Sequence, residues 1–264
     1  TSGRLVYSNG LQLQGWMTDG TGKINTNGKI EGIRLPINST IAPGASSNII
    51  LSGNLSGNVG DTFSRNIQVY DSLGKSHVIE IQFKKMTEVP TTTWNWEAFD
   101  DAGNSLMGGP STIEFDASGQ VTAGNTGNFT FDPTNGATVM ALGIDFNQIT
   151  QYSADESSVA YEQDGYPMGY LQSFKIDSAG KIIGVFTNGL TEDIAQVAVA
   201  TFSNAGGLEK LGETMFRESS NSGSAQINPS GVGGSGKITP GTLEMSNVDL
   251  SQEFTDMIVT QRGF

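Results

Sequence analysis

The sequence predicts an all-β protein: a discontinuous β domain, a second β-barrel or sandwich-like domain inserted into it, and the start of one C-terminal amphipathic helix. Three observations carry this. Apolar residues alternate with polar ones over many short runs, as at Ile79, Ile81 and Phe83, the period of a strand with one wet face. Thirty-five glycines break those runs and suit short strands joined by tight turns. A helical period is sustained only near the C-terminus, from Ser246 to Phe264.

The first elements are Leu5 to Trp16, two strands about an Asn9-Gly10 turn, since Asn-Gly supplies the positive φ angles of a tight hairpin. Leu11, Leu13 and Gly15 share one strand face; Gln12, Gln14 and Trp16 share the other. Gly20, Gly22 and Asn27-Gly28 punctuate the next stretch, and Ile30 to Leu35 is a short strand stopped by Pro36. A polar connector with Pro43 and Gly44 spans Asn38 to Asn48, and a matching break lies at Asp164 to Gly169. The stretch between them carries its own alternating pairs: Ile67 and Val69, Trp94 and Trp96, Ile113 and Phe115, Phe129 and Phe131. Self-sufficient sequence between two breaks is the signature of insertion at an exposed loop. The expected division is 1–42 with 165–245 as an inner β domain, 43–164 as an inserted outer β domain, and 246–264 as the start of an assembly helix.

Beyond the second break, Tyr170 to Ile176 and Lys181 to Phe186 read as strands. Ile194 to Phe202 is apolar on both faces, so a central buried strand is expected there. Residues Ser219 to Gly236 are rich in Ser and Gly and read as a mobile loop. One small motif recurs, at Asp71 to Lys75, Asp116 to Gln120 and Asp177 to Lys181. Asp opens each turn and Gly takes its left-handed position. The spacing lacks the alternating oxygens and closing glutamate of a calcium loop.

The C-terminal helix has Asn247, Asp249 and Ser251 as N-cap candidates, with Glu253 and Asp256 near the positive end of its dipole. Leu250, Phe254, Met257, Ile258 and Gln261 form one stripe. An isolated helix of this length is marginal in water, so it is expected to fray unless a neighbour covers the stripe.

Composition excludes whole classes of function. The net charge is −13, from 14 basic and 27 acidic residues, which opposes binding to nucleic acid or to an anionic membrane. There is no cysteine, so disulfides, thiolate metal sites and thiol catalysis are out. No apolar run reaches the length of a membrane-spanning helix, and no membrane insertion is expected. No constellation for catalysis, cofactor or metal stands out. Gly231 to Lys237 nearly satisfies a phosphate loop, but Ile238 stands where Ser or Thr should reach magnesium, and Pro240 and Gly241 come next, where a helix should start. His77 is the lone histidine and reads as packed or at an edge. Trp94 and Trp96 could stack on a sugar, but core is the simpler role.

Asn247-Val248-Asp249-Leu250, followed by Met257 to Arg262, resembles the C-terminal signature of the flagellar axial proteins, the rod and hook family. The run from Tyr170 through Phe202 and on to Arg262 is similar to that family nearly throughout; the middle insert is weakly so. Leu11 to Trp16 resembles its early β segment. Members continue past this point into a long helix and begin with a matching helical segment, so the chain reads as a core with both polymerising ends removed. The large insert points to a hook-type rather than a rod-type member. The resemblance then implies a structural protein, not an enzyme and without cofactors. It implies a helical homopolymer outside the cell, a tube that works as a universal joint carrying torque from motor to filament. Rod, hook cap and hook–filament junction proteins and the flagellar export apparatus would be its partners. The competing readings are a distal rod-type protein and a secreted β-rich adhesin or carbohydrate-binding module.

Overall fold

A computed structural model describes residues 3–7, 9–19, 21–88, 91–212, 214–242 and 250–263. Its strands in chain order are β1 (Gln14–Met17), β2 (Glu31–Gly32), β3 (Thr40–Ile41), β4 (Asn48–Asn54), β5 (Thr62–Tyr70) and β6 (Ser76–Thr87). Then come β7 (Thr92–Phe99), β8 (Ser111–Phe115), β9 (Val121–Ala123), β10 (Thr126–Phe131), β11 (Met140–Thr150) and β12 (Ser158–Gln163). The last are β13 (Gly169–Ile176), β14 (Lys181–Phe186), β15 (Thr191–Thr201), β16 (Glu209–Gly212), β17 (Met215–Arg217) and β18 (Gln226–Pro229), followed by the helix α1 (Leu250–Arg262). Contacts divide the chain into unit 1 (Thr1–Leu35, Phe174–Gly184, Glu192–Phe264) and unit 2 (Pro36–Ser173, Val185–Thr191).

Unit 2 is a two-sheet β structure. One sheet has the order β5-β6-β7-β8-β9, all antiparallel; the other is β10-β11-β4-β12, in which β4 runs parallel to β11 and antiparallel to β12. The sheets meet on both sides. Gln151 N donates to Gly119 O and Gln120 bridges Thr150 at one seam; Gln68 N donates to the Tyr161 hydroxyl at the other. The curl follows from alternation: Ile67 and Val69 on β5, Ile79, Ile81 and Phe83 on β6, and Phe129 and Phe131 on β10 all point inward and are buried. Trp94 and Trp96 sit at the centre, 0% and 1% exposed, with the Trp96 ring 4.9 Å from Phe146. No sugar can stack on rings so enclosed. At the base, Gly44 bridges Tyr166. The Asp164 carboxylate accepts from Ser47 N, Asn48 N, Ser47 Oγ and Asn48 Nδ2 at 2.7–3.0 Å.

Unit 1 holds β1, β2, β18, nearly all of β15, β13 from Phe174 on and β14 as far as Gly184, strands of a sheet ordered β2-β1-β15-β14-β13 with β18 added to β15. β15 is central, and Ile194, Ala195, Gln196 and Val197 on it are buried in succession, as expected of a strand covered on both faces. Gly15 on β1 faces Val197, and a Cβ there would collide with the Gln196 carbonyl. Only glycine allows that approach.

The stretch Ser219 to Gly236 departs from the expected loop. It contains β18, and its serine hydroxyls satisfy the backbone. Ser222 Oγ donates to Ser219 O, Ser235 Oγ to Pro229 O and Ser230 Oγ to Ser178 O. Ser222, Ser230 and Ser235 are buried. A composition read as slack is here a set of hydroxyl-to-carbonyl bonds, most of them local and one, from Ser230, reaching back to Ser178.

Candidate assembly surface

The local sequence of α1 is compatible with a helix, though at thirteen residues it still depends on packing for stability. It has no internal Gly or Pro, Glu253 lies in its first turn and Arg262 in its last, matching the dipole. Thr255 Oγ1 and Thr260 Oγ1 donate to Ser251 O and Asp256 O, one turn back. Gly263 N still donates to Val259 O at 3.0 Å. Of the N-cap candidates, Asn247 and Asp249 lie outside the described residues, and Ser251 lies inside the helix rather than at its cap.

Nothing on α1 is buried. Leu250, Phe254, Met257 and Ile258 are 52–68% exposed, and Gln261 is exposed beside them. Val259 is also bare, at 64%. At about 100° per residue it falls opposite Leu250, off the stripe, which is why periodicity passed over it. Each of the four apolar stripe residues would contribute about 1.5–3 kcal/mol on full burial.

The other candidate chemistries resolve into structure. His77 Nε2 lies 2.9 Å from Asp71 Oδ2, with Phe131 packed edge-on against the ring. Asn135 Nδ2 donates to the same oxygen at 2.7 Å, and the backbone N–H groups of Leu73 and Lys75 donate to Asp71 Oδ1. Burial opposes the Asp71 charge, but these donors outweigh it and hold the carboxyl well below its usual range. The glycine loop is closed on itself, with Gly231 N donating to Gly236 O. An open groove of about 810 Å³ on unit 2 runs past Asn48, Met107, Asn128, Phe129 and Gly143. Its Asn48 amide is already engaged by Asp164 and Ser47.

Among the described residues the Asp-turn-Gly motif occurs five times, not three. Asp71, Asp116 and Asp177 are joined by Asp19 and Asp100. In each, the Asp carbonyl accepts from the Gly three residues on, and the Asp N–H donates to the carbonyl four residues on. The Asp Oδ1 accepts two backbone N–H bonds in every case. Carboxylates so occupied turn inward on their own loops. The missed pair carries the same Asp-x-x-Gly spacing. The closing Gly residues have φ between +75° and +83°, the type I turn with a glycine bulge. Asn9-Gly10 closes the same way, with φ +87° at Gly10 and Gly10 N donating to Tyr7 O. Tyr7 N donates to Leu11 O, four residues on as in the Asp turns, so the hairpin closes one residue wider than a two-residue Asn-Gly turn.

Comparison with known proteins places these features. Residues 57–166 match the family described as flagellar basal body protein FlaE D2 domain, and residues 239–264 match flagellar basal body rod FlgEFG protein C-terminal. The flagellar hook protein FlgE of Treponema pallidum is 36% identical over 100% of this chain and 69% of its own length. That of Borreliella burgdorferi is 35% identical over 97% and 66%, and that of Salmonella typhimurium 31% over 98% and 68%. The chain therefore spans about two thirds of these relatives. The crystal structure of Helicobacter pylori flagellar hook protein FlgE2 superposes with a TM-score of 0.60 at 14% identity, covering 93% of this chain and 89% of that one. This last likeness concerns the fold.

Proposed function

Because the chain belongs to the flagellar hook protein family, we propose that its structural role in the hook is carried out through α1, whose stripe of Leu250, Phe254, Met257, Ile258 and Gln261 is the contact between copies. The observation that carries this is a helix with every described side chain bare and four large apolar ones aligned. In water such a stripe is a liability; between copies it is a source of binding free energy. In this reading the subunits form a flexible extracellular tube that passes torque from motor to filament as a universal joint. Rod, cap and hook–filament junction proteins and the export apparatus are its proposed partners. The proposed division is an inner β domain, an inserted outer β domain and the assembly helix. No catalytic role is proposed, because the polar clusters at Asp71, at Asp164 and in the glycine loop are internally satisfied.

The test is Phe254→Asp, which puts a charge into the stripe. Cells carrying it should build no hook, while the purified chain keeps its β-sheet circular dichroism and melting transition. Normal hooks would remove α1 from the assembly contact. Deletion of the gene supplies the companion result: rods that stop at the outer surface support the hook assignment, and truncated rods would move the protein into the rod.

A further inference from the structure

The charge of the chain is not shared evenly. Unit 1 holds ten basic and twelve acidic residues, a net of −2; unit 2 holds four basic and fifteen acidic, a net of −11. The four cations of unit 2 do little to offset this. Lys85 is buried, and its Nζ is spent on Gly57 O and Glu88. Arg65 lies half-buried with its guanidinium over the Tyr161 ring, 5.4 Å from the centroid. Lys75 and Lys84 alone are exposed.

The acids lie all round unit 2. Glu80 and Glu97 face outward from the sheet that contains β6 and β7, and Glu114 from β8. Asp145 and Glu162 do so from the other sheet. Asp101, Asp132, Asp155 and Glu156 occupy exposed loop positions. No face of unit 2 offers, among the described residues, a basic surface complementary to the rest. Two copies that approach through unit 2 therefore present like charge in any orientation.

We propose that unit 2 is a self-repelling surface towards a second copy of this chain, so that contacts between copies through unit 2 stay open and solvated until salt screens them, while close contact is left to unit 1. This rests on the polymer reading for its biological setting, and on the charge partition alone for its physics. At about 0.15 M salt the Debye length is roughly 8 Å, shorter than a domain. Where the charge sits then matters, and not only its total.

Two triple variants separate location from total. Asp101→Asn/Glu114→Gln/Glu162→Gln removes three exposed acids from unit 2, and Glu31→Gln/Glu192→Gln/Glu218→Gln removes three from unit 1. Both leave the chain at −10, three above −13. The second virial coefficient of the purified chain is measured by static light scattering from low to high sodium chloride. The unit 2 variant should lose about two-fold or more of the repulsion at about 0.15 M salt, with the unit 1 variant close to wild type. Superimposable curves for the two variants, or a wild-type coefficient that ignores salt, would overturn the proposal. No hook is present in this measurement, so its failure leaves the hook reading standing. That reading falls only on the assembly phenotypes.

Discussion

Unit 2 closes its two sheets over one cluster of twenty-one buried hydrophobic residues, including both its tryptophans and four phenylalanines besides Phe83. Unit 1 buries Trp16, Ile33, Ile182, Ile194, Ala195 and Val197 among its described residues, and leaves Tyr7, Leu11, Phe174, Phe216 and the whole of α1 exposed. Unit 2 has exposed apolar residues as well, among them Leu73 and Val139, so the contrast is between a body with one large closed core and a body with a thin one. Burial at about 25 cal/mol per Å² is the main favourable term in folding, so unit 2 has the means to stand alone. Spare apolar surface in unit 1 is what association would use.

Perturbing each core sharpens this contrast. Trp96→Ala should remove about 3–5 kcal/mol from unit 2, since it opens a cavity beside Phe129 and Phe146. Denaturant unfolding reads the loss, and hydrogen exchange reads its spread. If β14 and β15 lose protection equally, the two bodies unfold as one and the contrast breaks. Ile182→Ala in unit 1 should cost about 2 kcal/mol, the low end for an isoleucine, because a thin core relaxes around the gap more readily. A loss as large as that at Trp96 would show unit 1 to be as tightly packed as its neighbour in sequence.

The smallest expected effect is with acid. Burial raises the Asp164 pKa, yet the donors on Asn48 and Ser47 outweigh it and lower it from 3.8 to about 2. A depressed folded pKa adds stability that is present above the unfolded value and lost as pH falls through the folded one. Unit 2 should therefore weaken between about pH 4 and pH 2, with Asp71 contributing in the same sense. Asp164→Asn should flatten that limb of a pH melting series. An unchanged limb would take Asp164 out of the account.

The parts legible in the sequence were those governed by local rules. Alternation at Ile79, Ile81 and Phe83 and at Trp94 and Trp96 named inward faces that the structure buries, because a strand's side chains have no other period. Turn chemistry found Asp71, Asp116 and Asp177 but passed over Asp19 and Asp100, which carry the same Asp-x-x-Gly spacing. β18 was hidden, since Gln226 to Pro229 becomes a strand only by pairing with β15, which no local pattern announces. The Ser and Gly around it suggested slack for want of any sign of where the hydroxyls would bond. The helical period of α1 was readable, and Val259 was passed over, because a lone apolar residue on the far side has no period.

The position of β4 orders the folding of unit 2 in time. β4 lies between β11 and β12, with Ile49 beside Ile144 and Tyr161 opposite Leu51. It is the first strand of the sandwich to leave the ribosome, and both its neighbours come from the other end of the insert. The hairpins from β5 to β8 can form from adjacent sequence, whereas β4 must wait for about ninety residues. Loop closure of that length sets the pace of folding far more than the final stability. Until it happens, β4 is an apolar strand with two free edges. The seam at β4 is thus the expected slow step of unit 2 and the stage at which a nascent chain is most open to aggregation.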